Sequence, residues 1–542
     1  MVIMKNLVIL SLLIDCIISK IRIDKQTRNF IDEKGRVVIF HGVNVVVKSP
    51  PYIPNTEKWD PFNSLTLEDY EYFKKFGFNL VRLGVPWEAI EKAPGVYDHE
   101  HLEKISKIID DLGSHGIYTI LDAHQDMFSR QFCGEGVPLF YAKELRHEKE
   151  CKTNLISRMM RLVGGCIPLN TFNWKHGDDG LPGINECKVG FLKYHQSPEL
   201  TTIYQSLYDN EKNIQDKFAE FWKILAQKFK NNPFVIGHDI WNEPWPGELW
   251  SNINSMWPGF STNYQVLPFY RKVDEEIRKV DDNYILMFEP VPFPDTLPFN
   301  GGIVLGGFLE TPAGKKYLDK QVLNIHMYCC QARPDVCETG EPSLYDAKNI
   351  CKKYHKSKLG EINKNAENLG VPFIVTEFGA CSDSEACYYE MEGFVQAAEE
   401  FLISWAYWMY KPYGDHTTTA LEHTEGIFYD SGLPQENKIK ALTRTYIQAY
   451  QGIPLTSNFK LKSALFTSSF IYNSEIDSPT IIYYHREFFY PNGHVILITD
   501  ENGNDVKCNY DYGRDNYISF KINQEFNQKN PVIFVKLYRW GN

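Results

Sequence analysis

Eight short apolar runs, spaced by stretches of helical periodicity, govern what this chain can become. They lie at residues 37–47, 80–85, 117–121, 235–240, 285–288, 322–325, 373–376 and 404–408. Each is too brief for a buried helix. Most are rich in β-branched residues and flanked by Gly, Pro or Asn, the marks of a strand buried on both faces. Between them come amphipathic stripes such as Leu102, Ile105, Ile108, Ile109 and Leu112, or Ile214, Phe218, Phe221, Trp222, Leu225 and Phe229. Thr66 with Asp69 three residues on marks a helix start of the capping-box kind. Strand and helix alternating in this way give a parallel sheet, and eight repeats predict a (β/α)8 TIM barrel, an α/β fold.

Two stretches break the rhythm. Residues 132–207 carry Gly, Pro, Cys and Trp without a clear period, as a long loop insertion with a functional or lid role does. Beyond residue 453, alternating runs at 481–484, 495–499 and 532–537 are separated by Pro491-Asn492-Gly493 and Glu501-Asn502-Gly503. They predict a small C-terminal antiparallel β-sandwich domain over 457–542. A small hairpin is expected around Glu33-Lys34-Gly35, leading into the first barrel strand. At the other end, Lys5 and the apolar run 7–18 are too short for a membrane span and read as a signal peptide over 1–20, leaving 21–453 for the barrel. The chain is therefore expected to be secreted or to work in an endolysosomal or digestive lumen, without an integral membrane span and as a monomer. Neighbouring cysteines fit that compartment: Cys133 and Cys151, Cys166 and Cys187, Cys329 or Cys330 with Cys337, and Cys381 with Cys387 read as disulfides stapling loops, with one odd thiol left over. A formal charge of −12 with no basic stripe argues against a nucleic-acid partner.

Two of the runs end in a glutamate, in Trp241-Asn242-Glu243-Pro244 and Thr376-Glu377-Phe378-Gly379. Strand ends in a parallel barrel share one open face, so these carboxyls are aimed at a common point. Paired carboxyls placed so are the minimal apparatus for cutting a glycosidic bond. One must be protonated at the leaving oxygen, which needs a raised pKa, and Trp241, Pro244 and Trp245 offer Glu243 the apolar setting for it. Glu377 would then be the ionised nucleophile, held by donors such as Arg82 and Tyr328. Glu289 also ends a run but lacks an asparagine beside it, and is set aside. Asp122 and Asp126 with the nearby histidines complete no hard-cation pattern, so neither metal nor cofactor is expected.

These two motifs resemble those of the retaining clan-A glycoside hydrolases, specifically the cellulase-like family five. Within it, Leu121-Asp122-Ala123-His124-Gln125-Asp126 with Ser129-Arg130, and His41-Gly42-Val43-Asn44 followed by Lys48, resemble the endoglycoceramidases. The resemblance implies that Asn242 holds the sugar 2-hydroxyl and that Lys48, Asp122, His124 and Asp126 bind sugar. It implies that Tyr328 of His326-Met327-Tyr328 contacts the nucleophile while His326 lines the site, and that Trp408 is a platform beneath the sugar. Arg82 is expected to orient the nucleophile.

The expectation is a retaining endo-β-glycosidase that releases intact oligosaccharide from the ceramide of glycosphingolipids at membrane or micelle surfaces. Retention predicts carboxyl groups about 5–5.5 Å apart. A cellulase- or mannanase-like polysaccharide hydrolase or a glucosylceramidase would share the same apparatus. A catalytically silent sugar- or lipid-binding protein would keep the barrel without the turnover.

Overall fold

In the computed structural model, which describes residues 21–541 apart from 152–164, 188–190, 298–302, 334–335, 337–340 and 419–424, all eight runs form parallel strands. They are β1 (His41–Val45), β2 (Leu80–Gly84), β3 (Tyr118–Asp122), β4 (Val235–Asp239), β5 (Leu286–Phe288), β6 (Gln321–Met327), β7 (Phe373–Phe378) and β8 (Ser404–Tyr407). Each pairs with its neighbours in sequence, and β8 closes the barrel on β1 through Trp405↔His41, Ala406↔Gly42 and Tyr407↔Val43. Side chains on both faces are buried along nearly every strand, which is why the runs are apolar rather than alternating. Gly42 is dictated by packing: a Cβ there would lie 2.3 Å from the Leu80 carbonyl oxygen of β2.

The flanking helices begin and end where local chemistry says they should. Helix Leu67–Phe76 starts with the Thr66 amide donating to Asp69 Oδ2 at 2.7 Å and stops at Gly77, whose φ of 76° suits a left-handed cap. Helix His99–Ser114 is capped by Asp98 and buries the Leu102–Leu112 stripe against the barrel.

The β unit draws on both ends of the chain. A seven-stranded sheet runs Arg22–Ile23, Phe30–Ile31, Val37–Val38, Tyr446–Tyr450, Thr480–Tyr483, Tyr517–Ile522 and Cys508–Asp511. A four-stranded sheet runs Gly452–Lys460, Leu465–Tyr472, Val532–Arg539 and His494–Asp500. Residues of both, including Val37, Ile447, Phe459, Phe470, Ile518 and Val535, share one apolar core. The N-terminal hairpin forms, but it pairs with this unit, Val38 facing Ala449, before the chain enters β1.

The insertion is less irregular than its sequence. Pro198–Tyr208 is a helix, capped by Ser197 with proline in its first turn. It is buried on nearly every side, so no apolar stripe marks it. Two disulfides nest there, Cys133–Cys187 enclosing Cys151–Cys166, which corrects the expected pairing of Cys133 with Cys151 and of Cys166 with Cys187. The chain folds back across the insertion, and sequence neighbours are not space neighbours. Cys329 pairs with Cys351, not Cys337, while Cys381–Cys387 forms as expected. Cys330 is also disulfide-bonded, and Cys508 is the free thiol among the described residues. The expected signal peptide, and Cys337, lie outside the described residues.

Candidate active site

The residues singled out in the sequence converge at the ends of the barrel strands. Arg82, fully buried on β2, is the hub. Its Nη1 donates to Glu377 Oε1 at 2.7 Å and its Nη2 to Asn242 Oδ1 at 2.8 Å. Nε donates to Asp239 Oδ2 at 2.8 Å, and Nη2 lies 3.0 Å from Asp122 Oδ1. The Tyr328 hydroxyl donates to the other Glu377 oxygen at 2.7 Å. Asn242 turns one amide hydrogen to the Gln125 carbonyl oxygen at 3.0 Å. Opposite stands Glu243, at a φ of 39°, with its backbone amide donating to Glu289 Oε2 at 3.0 Å. His326 bridges the pair: Nδ1 is 2.8 Å from Glu243 Oε1 and 3.3 Å from Glu377 Oε2. One oxygen of each glutamate and the imidazole nitrogen all lie within 4.8 Å of one another.

A bulge makes this possible. Along β6 and β7, Ile325 pairs with Val375 but His326 pairs with Glu377, so Thr376 is the extra residue. Consecutive strand residues normally point to opposite faces, and a bulge re-aims one of them. Here Thr376 Oγ1 and Glu377 Oε2 both reach the same imidazole, at 3.1 and 3.3 Å.

Burial sets the charge states. It pushes the Glu243 carboxyl up to about 7, with Asp126 adding to the effect. Burial raises Glu377 as well, but His326 and Arg82 act against it. Burial also pushes His326 down to about 3, so its ring is neutral. For His124 burial opposes the charge, yet Asp122 and Asp126 overcome it and raise the group to about 9. The arrangement can thus hold a proton on one carboxyl beside a second that is anchored by a guanidinium and a phenol.

Beside this pair lies a cavity of about 460 Å³ with two kinds of lining. Lys48, His124, Asp126, Asp415, Thr417 and Trp408 form a polar set; Trp245, Leu249, Trp250, Met256, Phe293 and Val336 form an apolar one. Lys48 is a buried ion centre, its Nζ 2.6 Å from Asp126 Oδ2, 2.9 Å from Asp415 Oδ2 and 2.6 Å from Thr417 Oγ1. It also sits over the Trp408 ring, 4.8 Å from the centroid, and His124 stacks on that ring's flank. Arg82, Asp122 and His326 do not line the cavity but stand behind its wall. Asp415, Thr417 and Asp239 went unread in the sequence, and Glu289, set aside there, proves to hold the Glu243 backbone amide. Only the first two left a signal, a polar stretch after Tyr413-Gly414 where β8 opens onto the barrel face.

Among the described residues, two groups of side chains come close enough to share a cation: His124, Asp126 and Glu135, and Glu243, His326 and Glu377. Each already has its own counterion, Lys48 in the first and Arg82 in the second.

Comparison with known proteins adds family context. The profile described as Cellulase (glycosyl hydrolase family 5) matches residues 32–153 and 185–414, and that of the Glycoside hydrolase family 5 C-terminal domain matches 444–530. An endoglycoceramidase from Hydra vulgaris is 29% identical over 88% of this chain and 82% of its own. One from Cyanea nozakii is 27% identical over 88% and 87%. The structure of endo-glycoceramidase II from Rhodococcus sp. in complex with ganglioside GM3 shares the fold, with a TM-score of 0.67 at 18% identity over 93% of this chain and 98% of that one.

Proposed function

The chain belongs to glycosyl hydrolase family 5, and on that premise we propose that it is a retaining endoglycoceramidase, cleaving the bond between oligosaccharide and ceramide in glycosphingolipids. The observation that carries the mechanism is the short reach between two unlike carboxyls, with oxygens of Glu243 and Glu377 inside 4.8 Å. Oxygens this close accommodate the roughly 5–5.5 Å between the carboxyl groups of a retaining pair, in which one carboxylate attacks directly.

Glu377, with Arg82 and Tyr328 directing its two oxygens, attacks the anomeric carbon. Glu243 gives its proton to the departing ceramide oxygen. A covalent glycosyl-enzyme forms, and the ionised Glu243 then takes a proton from water, which displaces Glu377 and releases the sugar. The polar lining around Lys48, His124, Asp126 and Trp408 takes the sugar, and the apolar lining takes the start of the lipid. The apolar share of the lining supports a glycolipid over a polysaccharide, which would need polar and stacking surfaces on both sides of the scissile bond. Relatives named endoglycoceramidase across most of the chain support the same choice.

Among the described residues no helix is long and apolar enough to cross a membrane. The disulfides fit an oxidising compartment, so secretion or delivery to a digestive lumen, and work as a monomer at micelle or membrane surfaces, belong to the proposal.

Mass spectrometry of the products from a pure ganglioside in detergent tests it. Intact oligosaccharide plus ceramide is the expected outcome, and Glu377→Gln should lower the rate at least about 10⁴-fold with the fold retained. Stepwise loss of single sugars, or shortening of a β-glucan in place of the glycolipid, would overturn the substrate assignment. A fully active Glu377→Gln protein would overturn the mechanism.

A further inference from the structure

His326 lies behind the cavity wall and touches Glu243, so the proton on its ring decides what Glu243 experiences. A neutral imidazole carries one hydrogen, and the partner of the far nitrogen decides where it sits. That partner is Thr376 Oγ1, 3.1 Å from Nε2. The Thr376 hydroxyl has a single hydrogen, and it is committed to Asn324 Oδ1, 2.5 Å away. Asn324 is itself fixed in orientation, because its Nδ2 donates at 2.9 Å to Asp239 Oδ2. That oxygen already accepts from Arg82 Nε, and a flipped amide would set acceptor against acceptor. Followed back along the chain, Thr376 has only lone pairs to offer Nε2, so Nε2 carries the ring hydrogen. Nδ1 is then a bare lone pair facing Glu243 Oε1. Their 2.8 Å contact is a hydrogen bond only when Glu243 holds the proton.

We propose that Asp239, Asn324 and Thr376 are positioning residues that lock His326 in its Nε2–H tautomer, so that the ring accepts from protonated Glu243 and donates nothing to the ionised form. The lock favours the loaded acid. It also leaves the spent carboxylate without a donor from this ring, so Glu243 remains a competent base for the water step. The inference rests on the reading of Glu243 as acid and base.

The other charges facing the pair do not supply the lock. Glu377 Oε2, 3.3 Å from Nδ1, receives its hydrogen from Tyr328, and Glu289 Oε1 stands off at 3.6 Å. Asp122 and Asp126, and the cations Arg82, Lys48 and Lys358, act at longer range, as do His124 and His195. Exchanging Thr376 for valine alters none of them. It keeps the side-chain shape and removes the hydroxyl, which is both the acceptor that holds the hydrogen on Nε2 and the donor to Asn324.

Freed in this way, the ring can move its hydrogen to Nδ1 and donate to the Glu243 carboxylate. In Thr376→Val the alkaline limb of kcat/KM should therefore move down by about one pH unit, and Thr376→Ser should restore it. A uniform loss of rate at every pH, with the limb unmoved, would overturn the lock. Nitrogen-15 NMR of the unaltered enzyme on the acid side of that limb gives an independent reading, with the His326 signals assigned by their absence from His326→Asn. A protonated Nε2 and a bare Nδ1 are expected, and a protonated Nδ1 would overturn the proposal whether or not the valine variant folds. The tautomer is read without substrate. A wrong tautomer therefore defeats the lock alone, whereas turnover surviving in Glu377→Gln defeats the functional reading whatever the tautomer.

Discussion

Glu243 sits in a backbone conformation that costs a non-glycine residue of order 1–3 kcal/mol, and the Glu289 carboxylate on its amide helps to hold it there. Its side chain is held against a second cost. Burial raises the folded-state pKa to about 7, above the roughly 4.3 of an unfolded glutamate. Between those values the folded protein binds more protons than the unfolded one. The stability contributed by this group is therefore complete below the unfolded pKa and is lost as pH rises through the folded one. Glutamine cannot ionise, so Glu243→Gln should be about 3 kcal/mol more stable relative to wild type near pH 8 than near pH 4.5. Urea melts at the two pH values check this, and an equal difference at both would contradict the raised pKa. Activity follows the same group: kcat/KM should fall above about pH 7 as Glu243 loses the proton it must donate. At this scale the sequence was legible where a residue ends a strand. Glu243 and Glu377 stand out for that reason, as does Glu289, which lacks an asparagine beside it, while Arg82 is legible as a cation inside an apolar run. Asn324, Thr376 and Asp239 do not stand out, because their partners lie on other strands, and a one-residue bulge between β6 and β7 is invisible until the register is known.

Among elements, the barrel strands announced themselves through composition, and the insertion hid its helix through burial. Pro198–Tyr208 packs against the site: the Tyr204 hydroxyl donates to Gln125 Oε1 at 2.8 Å, and Gln125 Nε2 donates to the Asn242 carbonyl oxygen at 2.7 Å. Gly165 and Gln196, from the same insertion, line the cavity. The Cys133–Cys187 bridge closes the 54-residue span that carries Gly165 to that wall. A loop of that length corresponds to about 4 kcal/mol of chain entropy in the unfolded state as an upper figure. The helix is buried in the main core and should outlast the bridge, while the wall should loosen. For Cys133→Ser/Cys187→Ser, KM for a ganglioside should rise about tenfold, and kcat on a small soluble aryl glycoside should stay within about twofold. Equal losses on both substrates would mean that the bridge supports the catalytic pair itself.

For the molecule as a whole, the question is whether barrel and β unit stand or fall together. Local pattern showed two units but not their joint, since the contacts that make it join residues far apart in sequence. The Tyr446 hydroxyl donates to the Gly77 carbonyl oxygen at 2.8 Å, and that of Tyr483 to Lys75 at 2.8 Å, tying the β unit to the end of a barrel helix. The strongest tie is ionic. Arg444, fully buried, donates to Glu399 Oε1 at 2.6 Å and Oε2 at 3.0 Å, and also to the Phe459 carbonyl oxygen. Glu399 belongs to the barrel helix Glu385–Phe401 and Phe459 to the strand Gly452–Lys460, whose amide also donates to Glu399 at 3.1 Å. Removing one partner of such a pair strands a buried charge, at a cost of about 3–5 kcal/mol, whereas replacing both with apolar groups can be nearly neutral. Arg444→Met should therefore split a single calorimetric transition into two, with the β unit melting first, and Arg444→Met/Glu399→Leu should merge them again. The split identifies this pair as the coupling between the units, because a merely destabilised barrel would lower one transition without dividing it. If Arg444→Met still melts in one step, the coupling is carried instead by the tyrosine contacts at Lys75 and Gly77, and Tyr446→Phe/Tyr483→Phe becomes the variant that should divide the transition.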